Sequence, residues 1–134
     1  MALTIRNLSE AKAATETKRP INESERQILD RLLHVDFPGA AELRVQAARS
    51  QIDRLDIAGG PVFEFNFSND VVRASVSYPV PVEAEGVDQD GARMHLLLHV
   101  RDGVLQELEI YREDGQQIQR LPKADSVDVM VNPG

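Results

Sequence analysis

Three Asp-Gly pairs, at Asp90-Gly91, Asp102-Gly103 and Asp114-Gly115, recur at intervals of twelve residues. Between them run the aliphatic stretches Met94–Val100 and Val104–Tyr111, and Ile118 follows the third pair. Glycine accepts a positive φ that strains other residues, so Asp-Gly between apolar runs is a strong hairpin signal. The equal spacing predicts an antiparallel meander with strands of nearly equal length.

If each loop holds three residues with Gly left-handed, the register follows. Val82 then faces Leu98, Ala84 faces Leu96 and Glu85 faces His95. Across the next loop Leu96 faces Leu108, Met94 faces Ile110 and His95 faces Glu109; across the third, Ile110 faces Ile118. One face then gathers Val80, Val82, Ala84, Met94, Leu96, Leu98, Val100, Val104, Leu108 and Ile110, and a slip of one residue would scatter them. The opposite face carries Glu83, Glu85, Arg93, His95, Leu97, His99, Leu105, Glu107, Glu109 and Tyr111.

The apolar face needs a cover, and the first half of the chain supplies one. Asn22-Glu23-Ser24-Glu25 is a helix start in which Asn22 caps and Glu25 reaches back. Ile28, Leu29, Leu32 and Leu33 follow at helical spacing, predicting a helix over 22–34. Asp36-Phe37-Pro38-Gly39 breaks it, and Ala40, Leu43 and Ala47 mark a second helix over 40–50. Residues 1–19 hold few large apolar side chains and read as an N-terminal arm, leaving one domain over 20–134. Ile52, Leu55 and Ile57 fit either a helix continuation or a short strand. Phe63, Phe65 and Phe67 alternate with polar residues, as do Val72, Ala74 and Val76, which predicts a hairpin about Asn69-Asp70. Pro79 and Pro81 should bend the chain at a sheet edge, and Val127, Val129 and Val131 suggest a last strand. The fold class is therefore α+β: N-terminal helices on one face of an antiparallel meander.

Charge narrows the partners. The chain of 134 residues carries a net −7, and the excess acid lies wholly after residue 60. An acidic half repels phosphates and anionic membranes, so neither nucleic acid nor a membrane is expected as a partner, and a charged partner should be basic. The chain has no cysteine, which removes thiol nucleophiles, disulfides and thiolate metal sites. Its N-terminus lacks the apolar run of a signal peptide, so a cytoplasmic location is expected.

Chemistry finds little foothold. Glu85, His95 and Glu109 have the ligand types of a divalent-metal site, but a His between two Glu more often forms surface ion pairs. His95 and His99 are four residues apart on a strand, about 13 Å, too far to share an ion. His34 sits where a helix-end role is expected. Asp88-Gln89-Asp90-Gly91 opens like a calcium loop without the remaining ligands, so a turn is expected. Phosphate-loop, serine-elbow and zinc-helix motifs are missing, and Glu107 and Glu109, about 7 Å apart on one face, have no cleft signal around them. No catalytic residue, metal or cofactor is assigned.

Asp88-x-Asp90-Gly91, Leu96–Val100, Asp102-Gly103-x-Leu105-x-Glu107-Leu108-Glu109 and Asp114-Gly115 together resemble a small bacterial family of uncharacterised proteins. Ser24-Glu25-x-x-Ile28-Leu29-x-x-Leu32-Leu33 and Glu42-Leu43-x-x-Gln46 extend the resemblance over residues 20–122. Such proteins are similar in size and charge to immunity proteins of polymorphic toxin systems, and the resemblance implies no catalytic residues. The leading expectation is a non-catalytic binding protein, an immunity protein that meets a basic toxin domain. Its partner face would comprise Glu83, Glu85, His95, Leu97, His99, Leu105, Glu107, Glu109 and Tyr111. The alternative is a small-molecule or divalent-metal-binding domain, or an enzyme, built on Glu85, His95 and Glu109.

Overall fold

The computed structural model describes residues 18–132; of the expected arm, residues 1–17 lie outside that range. Helix α1 (Glu23–Leu33) and helix α2 (Ala40–Arg49) precede most of the sheet. The strands are β1 (Arg19–Pro20), β2 (Gln51–Leu55), β3 (Val62–Asn66), β4 (Val82–Val87), β5 (Arg93–Arg101), β6 (Val104–Arg112) and β7 (Asp128–Val131). They form one antiparallel sheet in the order β1-β2-β3-β6-β5-β4-β7. The molecule is an α+β protein with its helices near the N-terminus.

Helix α1 starts as its sequence dictates. The Glu25 N–H donates to Asn22 Oδ1 at 2.9 Å, and the Asn22 N–H donates to Glu25 Oε1 at 3.0 Å. Glu25 is buried, and Arg19 on β1 grips both its oxygens at 2.8 and 2.7 Å. The cap thus fastens the first strand to the first helix. Ile28, Leu29, Leu32 and Leu33 then join Leu43 of α2 and Leu96, Leu98, Leu108 and Ile110 of the sheet in one core. Fully burying such side chains contributes roughly 1.5–3 kcal/mol each.

Three local expectations fail, each for a physical reason. The Val72–Val76 segment is not a strand, because β2 and β6 already take both edges of β3. The segment instead crosses the tip of the β5–β6 hairpin, where the Ala74 N–H donates to Gly103 O at 2.8 Å. Gln46 of α2 ties this crossing down: its Nε2 donates to Val72 O and Gly103 O, and its Oε1 accepts the Leu105 N–H at 2.8 Å.

The third Asp-Gly turn does not begin a hairpin. β3 and Pro61 already take the free edge of β6 from Glu107 to Ile110, so Ile118 packs against the core without pairing with Ile110. The three loops also differ in type. The first spans Gln89-Asp90-Gly91, with Asp88 N–H donating to Ala92 O. It keeps the expected pairs Val82–Leu98, Ala84–Leu96 and Glu85–His95. The second is a two-residue turn with Asp102 at φ 52° and Gly103 at φ 78°, both left-handed, as a primed hairpin turn demands. A β-bulge follows, with Val100 opposite Leu105 but His99 opposite Glu107. The pairs beyond it are Leu98–Leu108, Leu96–Ile110 and His95–Tyr111, two residues from the expected register. A slip of two preserves the faces beyond the bulge, so Met94, Leu96, Leu98, Leu108 and Ile110 stay inside, whereas Val104, on the turn side of the bulge, leaves the inner face to Leu105.

Candidate functional site: the outer face of the sheet

On the face turned away from the helices, the strand register lines side chains up in rungs. The first runs Asp53, Glu64, Glu107, His99 across β2, β3, β6 and β5. The second runs Leu55, Val62, Glu109, Leu97, Glu83, Met130 from β2 to β7. The third runs Tyr111, His95, Glu85, Asp128 from β6 to β7. Directly opposed residues in such rungs sit about 5 Å apart, so carboxylates and apolar side chains alternate at contact distance.

The basic side chains of this face are already engaged. His95 Nε2 lies 2.7 Å from Glu113 Oε1, and its Nδ1 lies 3.8 Å from Glu85 Oε1. The ring stacks on Tyr111 with centroids 5.1 Å apart. Arg93 donates to Glu85 at 2.7 Å, and His99 Nε2 lies 2.9 Å from Glu109 Oε1. Burial, and after it the fields of Glu109, Glu83, Glu113 and Glu85, hold the Tyr111 phenol above its ordinary value. Asp53 is buried, and its Oδ2 has no hydrogen-bond partner among the described residues.

Of the expected partner-face residues, Glu83, Glu85, His95, Leu97, His99, Glu107, Glu109 and Tyr111 share this outer face, each half-buried. Leu105 does not. It lies between turn and bulge, where parity is reversed, and is 2% exposed in the core. The expected Glu85–His95–Glu109 cluster does not form either, because the bulge brings Tyr111 opposite His95 and moves Glu109 opposite Leu97. Among the described residues no three His, Asp or Glu side chains converge as a metal cage. Asp53, Glu64, Val62 and Met130 extend the face beyond the expectation; finding them required the order of the strands, which the local spacing of residues does not carry.

Two of the three Asp-Gly acids, with Asp88, have a different task. Arg112 is buried and bonds Asp88 at 3.1 Å, Asp90 at 3.0 Å and Asp114 at 2.6 Å. Asp88 also accepts the N–H groups of Gln89 and Gln119. Burial alone would raise the Asp88 carboxyl, but these N–H donors and Arg112 outweigh it and hold it below its ordinary value. Where a calcium loop would place its ion, this loop faces a guanidinium. His34 caps α1, its N–H donating to Asp30 O at 2.9 Å.

Among the described residues no helix is long and apolar enough to cross a membrane. No curated protein and no solved structure matches the chain. One family does, over residues 18–122, a span that begins just before the Arg19–Glu25 clamp and ends just after the Arg112 cluster. The chain belongs to that family, described as Domain of unknown function (DUF6984).

Proposed function

We propose that this protein is a non-catalytic binding protein whose acidic sheet face receives a basic protein partner, and that it acts in the cytoplasm as an immunity protein against a toxin domain. The observation that carries the reading is the middle rung, where Glu109 and Glu83 alternate with half-buried Leu97 and exposed Met130. Apolar anchors within a charged surround suit a protein interface better than a surface that only has to stay soluble. The acidic rows on either side raise the encounter rate with a cationic surface and disfavour acidic competitors.

The test screens the reading frames adjacent to the gene for a toxic, basic domain, co-expresses the chain with it and follows growth; absence of such a frame counts against the reading. Wild type should restore growth, and E107K/E109K should fail to do so while remaining folded. In vitro, the association rate should fall steeply as salt rises. Normal protection by E107K/E109K, or salt-independent association, overturns the acidic-face reading.

A further inference from the structure

The arginines among the described residues divide into those with partners and those without. Arg19, Arg54, Arg93 and Arg112 pair with carboxylates at 2.6–3.1 Å, and Arg26 lies 3.9 Å from Glu23. Arg31 and Arg44 donate to backbone carbonyls, and Arg120 lies 3.0 Å from the Gln89 amide. Arg49, Arg73 and Arg101 make no hydrogen bond or ion pair with any described residue, and all three are exposed.

They stand far apart in sequence but around one end of the fold. Arg49 borders an open depression formed by Phe67–Val71. Arg73 borders the adjoining one, of about 530 Å³, and shares a third, of about 500 Å³, with Arg101. Two features hold Arg73 there. Its Cβ and the Ala74 carbonyl crowd Gly103, so that a Cβ on Gly103 would lie 2.6 Å from Ala74 O. Gln46 clamps Val72 O from the helix side. Asp70 and Asp102 share the rim, yet neither is in ion-pair contact with the three guanidinium groups. Val72, 70% exposed, adds an apolar contact next to Arg73.

We infer that this groove binds an acidic segment of a protein partner, taking its carboxylates in sequence on Arg49, Arg73 and Arg101. The guanidinium fork matches a carboxylate. The arginines border successive depressions instead of one shared centre, which suits charges spaced along a chain more than one compact phosphate. The surface stands independently of the sheet-face reading, and the two respond to opposite probes.

The experiment titrates the full chain with an octaglutamate peptide at low salt, monitored by amide NMR and calorimetry. Shifts should concentrate at Phe67–Arg73 and Arg101–Gln106, and R73Q/R101Q should weaken binding about tenfold, as two surface ion pairs allow. R26Q/R31Q, on the helical side, should bind like wild type. Absence of binding, shifts centred elsewhere, or unchanged affinity in R73Q/R101Q overturns the inference. Tighter binding of inorganic tripolyphosphate at the same residues also overturns it, by making the site one for phosphate. Octalysine, titrated separately, reports on the sheet face alone.

Discussion

Two groups of carboxylates in this chain have opposite fates. Asp88, Asp90 and Asp114 turn in toward one buried guanidinium, which offsets part of their charge and ties the loop before β5 to the loop after β6. Glu83, Glu85, Glu107 and Glu109 turn outward along rungs in which Glu107 directly faces Glu64 and Glu85 faces Asp128. Like charges opposed across strands destabilise a sheet by a few tenths of a kcal/mol or more. The first group builds the fold. The second leaves like charges opposed across the sheet, only part of them met by Arg93, His95 and His99. The net −7 conceals this division.

The comparison breaks most clearly at Arg112. Arg112→Met should cause the largest loss of stability of any change considered, because it leaves Asp88 buried without its counter-charge. Asp88→Asn in the same chain should recover part of the loss; urea midpoints of the single and double variants measure both. Unfolding no easier than wild type would show that the inward acids are ornamental.

Gln46→Ala comes next. It strands the Leu105 N–H and two carbonyls, and should cost about 3 kcal/mol by chemical denaturation. Gly103→Ala should cost about 2 kcal/mol, from a left-handed backbone and a Cβ pressed against Ala74 O.

Acid sharpens the same contrast. Asp88 and Glu25 are both held below their ordinary values. Burial opposes this, but hydrogen bonds from backbone N–H groups and arginine prevail. Their contribution is therefore complete above the ordinary carboxylate range, about pH 4, and disappears as pH falls through their lower folded values. The pH dependence of the urea midpoint should flatten on its acid side in D88N and in E25Q. The smallest effect belongs to the outer face: E107K/E109K should change stability by no more than about 1 kcal/mol while binding is lost.

Much of this was legible in the chain because it is written locally. The Asn22–Glu25 box, the 3.6-residue spacing of Ile28 to Leu33 and the first Asp-Gly loop each depend on neighbours within a few residues. The β3 partnership was not, because Phe63 could pair with Val76 or Leu108 on sequence pattern alone, and the choice depends on which edges are free in the finished sheet. The bulge did leave a mark. Strict alternation from Val104 to Leu108 would put Gln106 in the core, and the polar pair Gln106-Glu107 between Leu105 and Leu108 signals one residue too many. That mark would have placed Leu105 inside. The arginine groove left none, since residues 49, 73 and 101 meet only through the tertiary fold.

The bulge also bears on how the chain tolerates gain and loss of residues. On its turn side Val100 faces Leu105, and on its far side His99 faces Glu107. Removing Gln106 would close the ladder without changing either pair, so Leu105, Leu108 and Ile110 would keep their places inside. Removing a residue from the Leu108–Tyr111 stretch would reverse the face of everything between it and the next turn. Within this hairpin, then, a one-residue gap is nearly silent at Gln106 and ruinous a few positions later. Length variation among relatives should collect at the bulge, beside the exposed arginines, where a lineage could add or lose a side chain without rewriting the sheet.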